Sequence, residues 1–346
     1  MRRNGVTIRD VAARAGVSIT AVSHALNGKG TVSASTRAKV RRVADELGYQ
    51  ADAFARGMRQ ARIDAIGLTM RSLDILGDYT PEGVNVFDRF AGIFAAKALA
   101  RGLSLTLVPD ISGPSVPPLA FALDGYAVMS PQADDPVTAM LERRGIPYVT
   151  YGREPGRPDH HRWASEDDRE AARRALHHLE HAGATEIVLL NGTDRNAWNE
   201  DYRIEYLQWC ERTGCTPRVY QQPERTGVAG GADAARRIAD DGLPDAVLCM
   251  TGRHAAGLQA ELQSRGVVVP RDVLVFAASD SEQARSAKPA ISAFSFGLAD
   301  TADALLDMLV QLLDTGECEG PRLTGVQLKQ RASTRTSPEG VQRSEA

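Results

Sequence analysis

Residues 15–28 read AGVSITAVSHALNG, a stretch poor in large core side chains and rich in short hydrogen-bonding ones. Ser18 is a helix cap, and in the helix it starts Ala21, Val22 and Ala25 fall on one side. The opposite side carries Ile19, Thr20, Ser23, His24 and Asn27. Such compact side chains lose little entropy on ordering and reach base edges and phosphates in a major groove about 12 Å wide. The chemistry indicated is DNA recognition.

Three helices are needed to hold that face. Thr7 caps the first, with Asp10 three residues on and Ile8, Val11, Ala12 and Ala15 at helical spacing before Gly16. Gly16 supplies the left-handed turn into Ser18, and Val17 is buried in it. A third helix starts at Ser33, buries Val40, Val43, Ala44 and Leu47, and stops at Gly48. Charge agrees with this reading. Residues 1–62 hold twelve Lys or Arg against four Asp or Glu, a net +8, which leaves −11 for the rest of a chain of net −3. A basic head on an acidic body is expected when the head alone meets a polyanion; the plain alternative is a solvated basic surface.

The run VTIRDVAARAGVSITAVSHALNGKGTVSASTRAKVRRVADELGYQADAFARGMR closely resembles the N-terminal domain of LacI/GalR (lactose repressor/galactose repressor) transcription factors. The resemblance implies that Ile19, Thr20 and His24 read the operator. His24 stands where the family usually has arginine, so the operator should differ from the usual half-site. It also implies a hinge helix over 51–62, capped by Asp52, with Met58 as the apolar minor-groove wedge in place of the usual leucine. Ala51 and Asp52 depart from the family pattern there, Gly57 lowers helix propensity, and a plain linker is the alternative.

From Asp64 onward, apolar runs alternate with helix-like segments: AIGLTM, LSLTLV, YAVM, PYVTY, EIVLL, DAVLCM and DVLVF. That alternation indicates parallel sheets with helices on both faces, and the number of runs suits two lobes with a cleft between them. The expected fold is an N-terminal all-α helix-turn-helix DNA-binding domain plus an α/β two-lobed periplasmic-binding-protein-like effector domain. The divisions are a head at 1–50, the hinge at 51–62, a body at 63–332 and a disordered tail at 333–346. Lobe one takes about 63–161 and 294–322, lobe two about 162–293 and 323–332. Between Pro109 and Leu123 the chain is too short for the usual first-lobe helix.

Family resemblance extends less tightly through the body. It assigns ligand contact to Arg203 in DYRIEYLQW, and effector-site positions to Thr251, Ser279 and Asp280, where the usual Asn-Asp and Asp-Asp signatures are altered. Trp198, in the polar DRNAWNED, is a candidate pocket wall; core packing is the alternative for it and for Trp163 and Trp209.

His177 and His181 have a metal-binding spacing, but an exposed polar face accounts for them better. GVAGGADAARR lacks a phosphate-loop pattern. The four cysteines are scattered, which suits reduced thiols rather than disulfides or zinc. No cofactor is expected. With no membrane-spanning run and no signal peptide, the chain should be cytoplasmic, and on the nucleoid when bound to operator.

These readings add up to a non-enzymatic regulator, a repressor in the family's usual mode. It would bind a palindromic operator as a homodimer, and a small-molecule effector, a sugar or sugar derivative, would control it. A body responsive to another metabolite or to a protein is the alternative. A sugar-binding or hydrolytic α/β protein is disfavoured by the missing export signal and nucleophile elbow.

Overall fold

Local chemistry fixes the three head helices. Thr7 donates its amide to Asp10 Oδ2 at 2.7 Å, starting α1 (Ile8–Ala15), and Gly16 ends it at φ 67°. Ser18 Oγ accepts from the Ala21 amide at 3.1 Å, opening α2 (Ile19–Asn27). Ser33 Oγ accepts from Thr36 at 3.2 Å, opening α3 (Ala34–Glu46). Val11, Ala12, Ala15, Val22, Ala25, Val40, Val43 and Ala44 form one small core. The computed structural model describes residues 6–27, 32–47, 62–69, 86–113 and 116–334, in two units that part between Ile63 and Asp64. Gly48, Asp52, Gly57 and Met58 lie outside the described residues, as does the tail from 335.

In the body the chain winds two six-stranded sheets. Lobe one contains β1 (Ala65–Thr69), α4 (Val86–Ala100), β2 (Ser104–Val108), β3 (Gly125–Met129), α5 (Pro136–Arg143), β4 (Tyr148–Tyr151) and β5 (Trp163–Glu166). Lobe two follows with α6 (Asp168–His181), β6 (Ile187–Asn191), α7 (Ala197–Thr213), β7 (Val219–Gln221) and α8 (Gly227–Asp240). It continues through β8 (Ala246–Thr251), α9 (Gly252–Ser264), β9 (Leu274–Ser279), α10 (Glu282–Ser286) and β10 (Ser292–Phe296). The chain then returns to lobe one for α11 (Leu298–Thr315) and β11 (Arg322–Thr324), and ends in lobe two with β12 (Val326–Lys329).

Strand order is β11-β5-β4-β3-β1-β2 in one sheet and β12-β10-β9-β8-β6-β7 in the other, all parallel except β12. Between β2 and β3 the described chain forms only a 3-10 turn, Pro118–Ala122, as its short length required.

Three lobe crossings are displaced from the sequence boundaries. β5 belongs to lobe one and β10 to lobe two, so the chain crosses at 166/167, at Gly297 and at Gly325 rather than at 161/162, 293/294 and 322/323. Packing also outlasts residue 332. Ser333 and Thr334 are buried: Ser333 Oγ donates to the Val275 carbonyl at 2.6 Å, and Thr334 Oγ1 lies 2.8 Å from His178 Nε2. No helix among the described residues is long and apolar enough to cross a membrane, and none of their side chains form a three-ligand metal cluster. His177 and His181 face each other at 3.9 Å between ring centroids.

Two buried histidines make stability depend on pH. His160 stacks on Tyr148 with centroids 5.2 Å apart, and His254 Nε2 lies 3.2 Å from Thr226 Oγ1. Burial first, then neighbouring arginines, push both down to about 4 from 6.5. Between those values the unfolded chain takes up protons that the folded body does not. Their contribution is therefore whole above about pH 6.5 and lost as pH falls toward 4. Glu154, Glu166 and Asp168 are raised by burial and act in the opposite sense, so a variant must isolate the histidine effect. His160→Phe should lose less melting temperature than the parent between pH 6.5 and 4.5; parallel curves would remove His160 from the linkage.

Candidate functional site

Core packing of the head aims one face of α2 outward. Val22 and Ala25 are fully buried, so Ile19, 46% exposed, and Thr20 stand in solvent with Ser23 and His24 half-buried beside them. Thr7 and Ser18 are exposed at the starts of α1 and α2, each serving its cap. Short hydroxyl and imidazole groups around a helix N-terminus can bond phosphates and base edges together. The sequence assigned this face from Val22 and Ala25, and the structure groups its described members; of Asn27 only the helical backbone is described.

The second site lies in the body, where the carboxyl ends of β3, β4 and β5 face those of β8 and β9 across a cavity of about 170 Å³. Open α/β sheets bind ligands at such strand ends. Phe87, Tyr151, Trp198 and Phe296 supply aromatic wall; the charged lining residues are Glu166, Asp168, Asp194, Glu224 and Asp280 with Arg153 and Arg253.

Contacts between the lobes enclose this space. Arg153, just after β4, reaches Glu200 at 2.9 Å and Asp201 at 3.0 Å on α7. Nearby, the Ala133 amide donates to the Arg195 carbonyl at 2.9 Å, and Gln132 bridges Asn196. At the back, all three crossings meet in one network. The Glu166 carboxylate accepts from Tyr151 at 2.8 Å and from Thr301 at 3.2 Å, while Thr301 Oγ1 lies 2.8 Å from Thr324 Oγ1 and 3.4 Å from the Gly297 carbonyl. Burial raises the Glu166 carboxyl and, with the charge of Glu166, holds the Tyr151 hydroxyl well above its ordinary value. A group bound against Glu166 thus adjoins the segments by which the chain crosses between the lobes.

Of the five effector residues read from the sequence, four line this cavity. Trp198 stands edge-on to Tyr202 and Phe296, and its buried Nε1 has no hydrogen-bond partner among the described residues. Thr251 caps α9, accepting from the His254 amide at 3.1 Å, and Ser279 donates to the Met250 carbonyl at 3.2 Å. Asp280 is held by Arg331 at 2.8 Å and Arg285 at 3.1 Å.

Arg203 is the exception: it is exposed and lies outside the lining. The inner face of α7 is set by Tyr202, Tyr206 and Trp209, all buried, and one residue past Tyr202 points to water. Asp201 takes the inward position instead, and lobe one supplies the guanidinium through Arg153. Arg153 was missed, although its place two residues beyond β4 is where strand-end sites form.

Arg203→Ala should therefore leave stability within about 0.5 kcal/mol of the parent. Arg153→Ala should cost about 1–3 kcal/mol, because Asp201, 8% exposed, keeps only Arg169 at 3.1 Å. Urea melts compare them, and equal losses would mean that Arg153 does not carry the contact between the lobes.

Residues 7–52 match the bacterial regulatory proteins of the lacI family, and residues 176–334 match the periplasmic binding protein-like domain. Catabolite control protein A of Staphylococcus epidermidis is 24% identical over 333 residues, covering 92% of this chain and 95% of its own. The HTH-type transcriptional regulator CelR of Thermobifida fusca is 28% identical over 339 residues, with 92% and 95% covered. In fold, the chain is similar to a lac repressor dimer bound to operator and the anti-inducer ONPF, with TM-score 0.81, 21% identity and 96% and 100% covered. It is also similar to a CelR-cellobiose complex, with TM-score 0.67, 24% identity and 95% and 99% covered. With the DNA-reading head and the two-lobed body matched in the same order, and regulators aligned over more than nine-tenths of its length, the chain belongs to the LacI family of DNA-binding transcriptional regulators.

Proposed function

We propose that two copies of this chain bind a palindromic operator and repress transcription, and that a small molecule in the interlobe cleft, of the sugar or sugar-derivative class, sets their grip on DNA. The observation that carries this reading is the cavity between the lobes. Its walls come from both lobes, and Arg153 joins those lobes beside it. A ligand there has different contacts in joined and parted lobes, which is the condition for shifting a two-state equilibrium. A structural neighbour is described as a CelR-cellobiose complex, which supports the sugar class.

Dimerisation is supported by the edge of lobe one. β2 ends its sheet and exposes Leu107 by 58%, with Leu99 on α4 66% and Leu119 46% exposed. An uncovered apolar edge strand favours a partner. The lac repressor neighbour is described as a dimer on its operator. In this reading Met58 is the minor-groove wedge at the dimer axis.

Selection of the full chain's binding sites from random DNA tests the proposal. The expected product is an inverted repeat bound by two chains, with half-sites about one helical turn, roughly 34 Å, apart or a multiple of it. His24→Arg should change the selected base at one position of each half-site, by about 1–3 kcal/mol of discrimination. A selected site without symmetry, bound one to one, would overturn the dimer, and an unchanged site would remove His24 from the readout.

A further inference from the structure

The charges around the cavity do not balance. Asp280 is engaged by Arg331 and Arg285, and Arg153 by Glu200 and Asp201. Arg253, whose guanidinium donates to the Glu224 carbonyl at 3.4 Å, is the second lining cation, set against the lining acids Asp194 and Glu224, the Glu224 carboxylate accepting from the Asp194 amide at 3.4 Å and from Asn199 at 2.6 Å. Asp168 lines the cavity with no hydrogen-bond donor to its carboxylate among the described residues, and Glu166 lines it beside Tyr151. Burial, then the charges of Glu166, Asp201 and Asp167, push the Asp168 carboxyl well above the usual range, against the pull of Arg153.

Two further groups are left without partners. The Tyr202 hydroxyl is wholly buried and has no hydrogen bond among the described residues, and the charges of Asp168 and Glu166 act on it. Trp198 lines the cavity, and its Nε1 is buried with no hydrogen-bond partner among the described residues.

Resting on the reading of the cleft as an effector site, we infer that the ligand is a hydroxylated amine of about one ring, of the amino-sugar class, with its ammonium group seated between Asp168, Glu166 and the aromatic walls. An ammonium neutralises the acidic floor, and the faces of Tyr151 and Trp198 favour a cation. A neutral hydroxyl in the amine's place donates to Asp168 but leaves the floor uncompensated. The cavity of about 170 Å³ is below the roughly 300–1,000 Å³ of sites for drug-sized ligands, which fits a single ring.

Calorimetric titration of the full chain at pH 7 with three matched pairs, glucosamine and glucose, galactosamine and galactose, and mannosamine and mannose, tests this. The amine of at least one pair should bind ten-fold or more tightly than its neutral partner, and the preference should fall below two-fold in Asp168→Asn. Because Asp168 begins α6, Glu166→Gln is a second variant, and melting curves show that each folds.

A neutral sugar that binds as tightly as its amine overturns the inference. So does the absence of binding by all three amines. Either result leaves the effector reading standing if fractions of a bacterial metabolite extract still alter operator affinity. That reading falls only if none does.

Discussion

Val22→Asp should abolish specific operator binding while leaving the body folded. Val22 is fully buried among the small side chains of the head core. An unpaired carboxylate there costs several kcal/mol, and a unit of this size has little stability to lose. Affinity should therefore drop at least a thousand-fold, to that of random DNA. The body, a separate unit from Asp64 onward, should keep its melting temperature. Ile19→Ala, on the exposed face, should leave the head helical and weaken binding far less. Circular dichroism and anisotropy measurements distinguish the two. A Val22→Asp protein that binds its operator normally would mean the head is not organised as described.

Gly257→Val should have the next largest effect, on lobe two. Here α8 and α9 meet through their backbones. A Cβ at Gly257 would overlap the Val228 carbonyl, and one at Gly231 would overlap that of His254. Neither obstacle is a side chain that can turn aside. Overpacking of flexible neighbours costs about 1–3 kcal/mol, and forcing two helix backbones apart should reach or pass the upper end of that range. The displaced α9 carries Thr251, Gly252 and Arg253 of the cavity at its start, so any folded variant should also have a disturbed cleft. Gly92→Ala on α4, with open space around the new methyl, should instead gain up to about 1 kcal/mol. Denaturant melts of the three proteins give the comparison, and a Gly257→Val protein as stable as its parent would contradict the backbone contact.

The head was legible because its signals are local. Thr7, Gly16, Ser18 and Ser33 act within a turn of their own position, and the small core follows from spacing. Seven body strands were legible as apolar runs, six of them inside their sheets and one, β2, at an edge. The short edge strands β7, β11 and β12, and β5 and β10, in which serine interrupts the apolar residues, have no such run to read. The lobe crossings were misplaced for the same reason: Trp163–Glu166 reads as a connection until its pairing with β4 is seen.

Arg203 illustrates a different limit. Tyr202, Tyr206 and Trp209 already mark the inner face of α7, and residue 203 falls off it; family resemblance favoured the arginine over the helical period. The place of Arg153 just beyond β4 was legible, but its partner Asp201 emerges only when the end of β4 is brought against α7, a contact between residues 48 positions apart.

Operator affinity of the full chain, measured by fluorescence anisotropy with each fraction of a bacterial metabolite extract, tests the coupling of cleft to DNA most directly. At least one fraction should change affinity ten-fold or more, a coupling of about 1.4 kcal/mol, and Trp198→Ala should remove that change while retaining the parent's affinity in buffer alone. A change that persists undiminished in Trp198→Ala, or its absence with every fraction, would contradict control through the cleft.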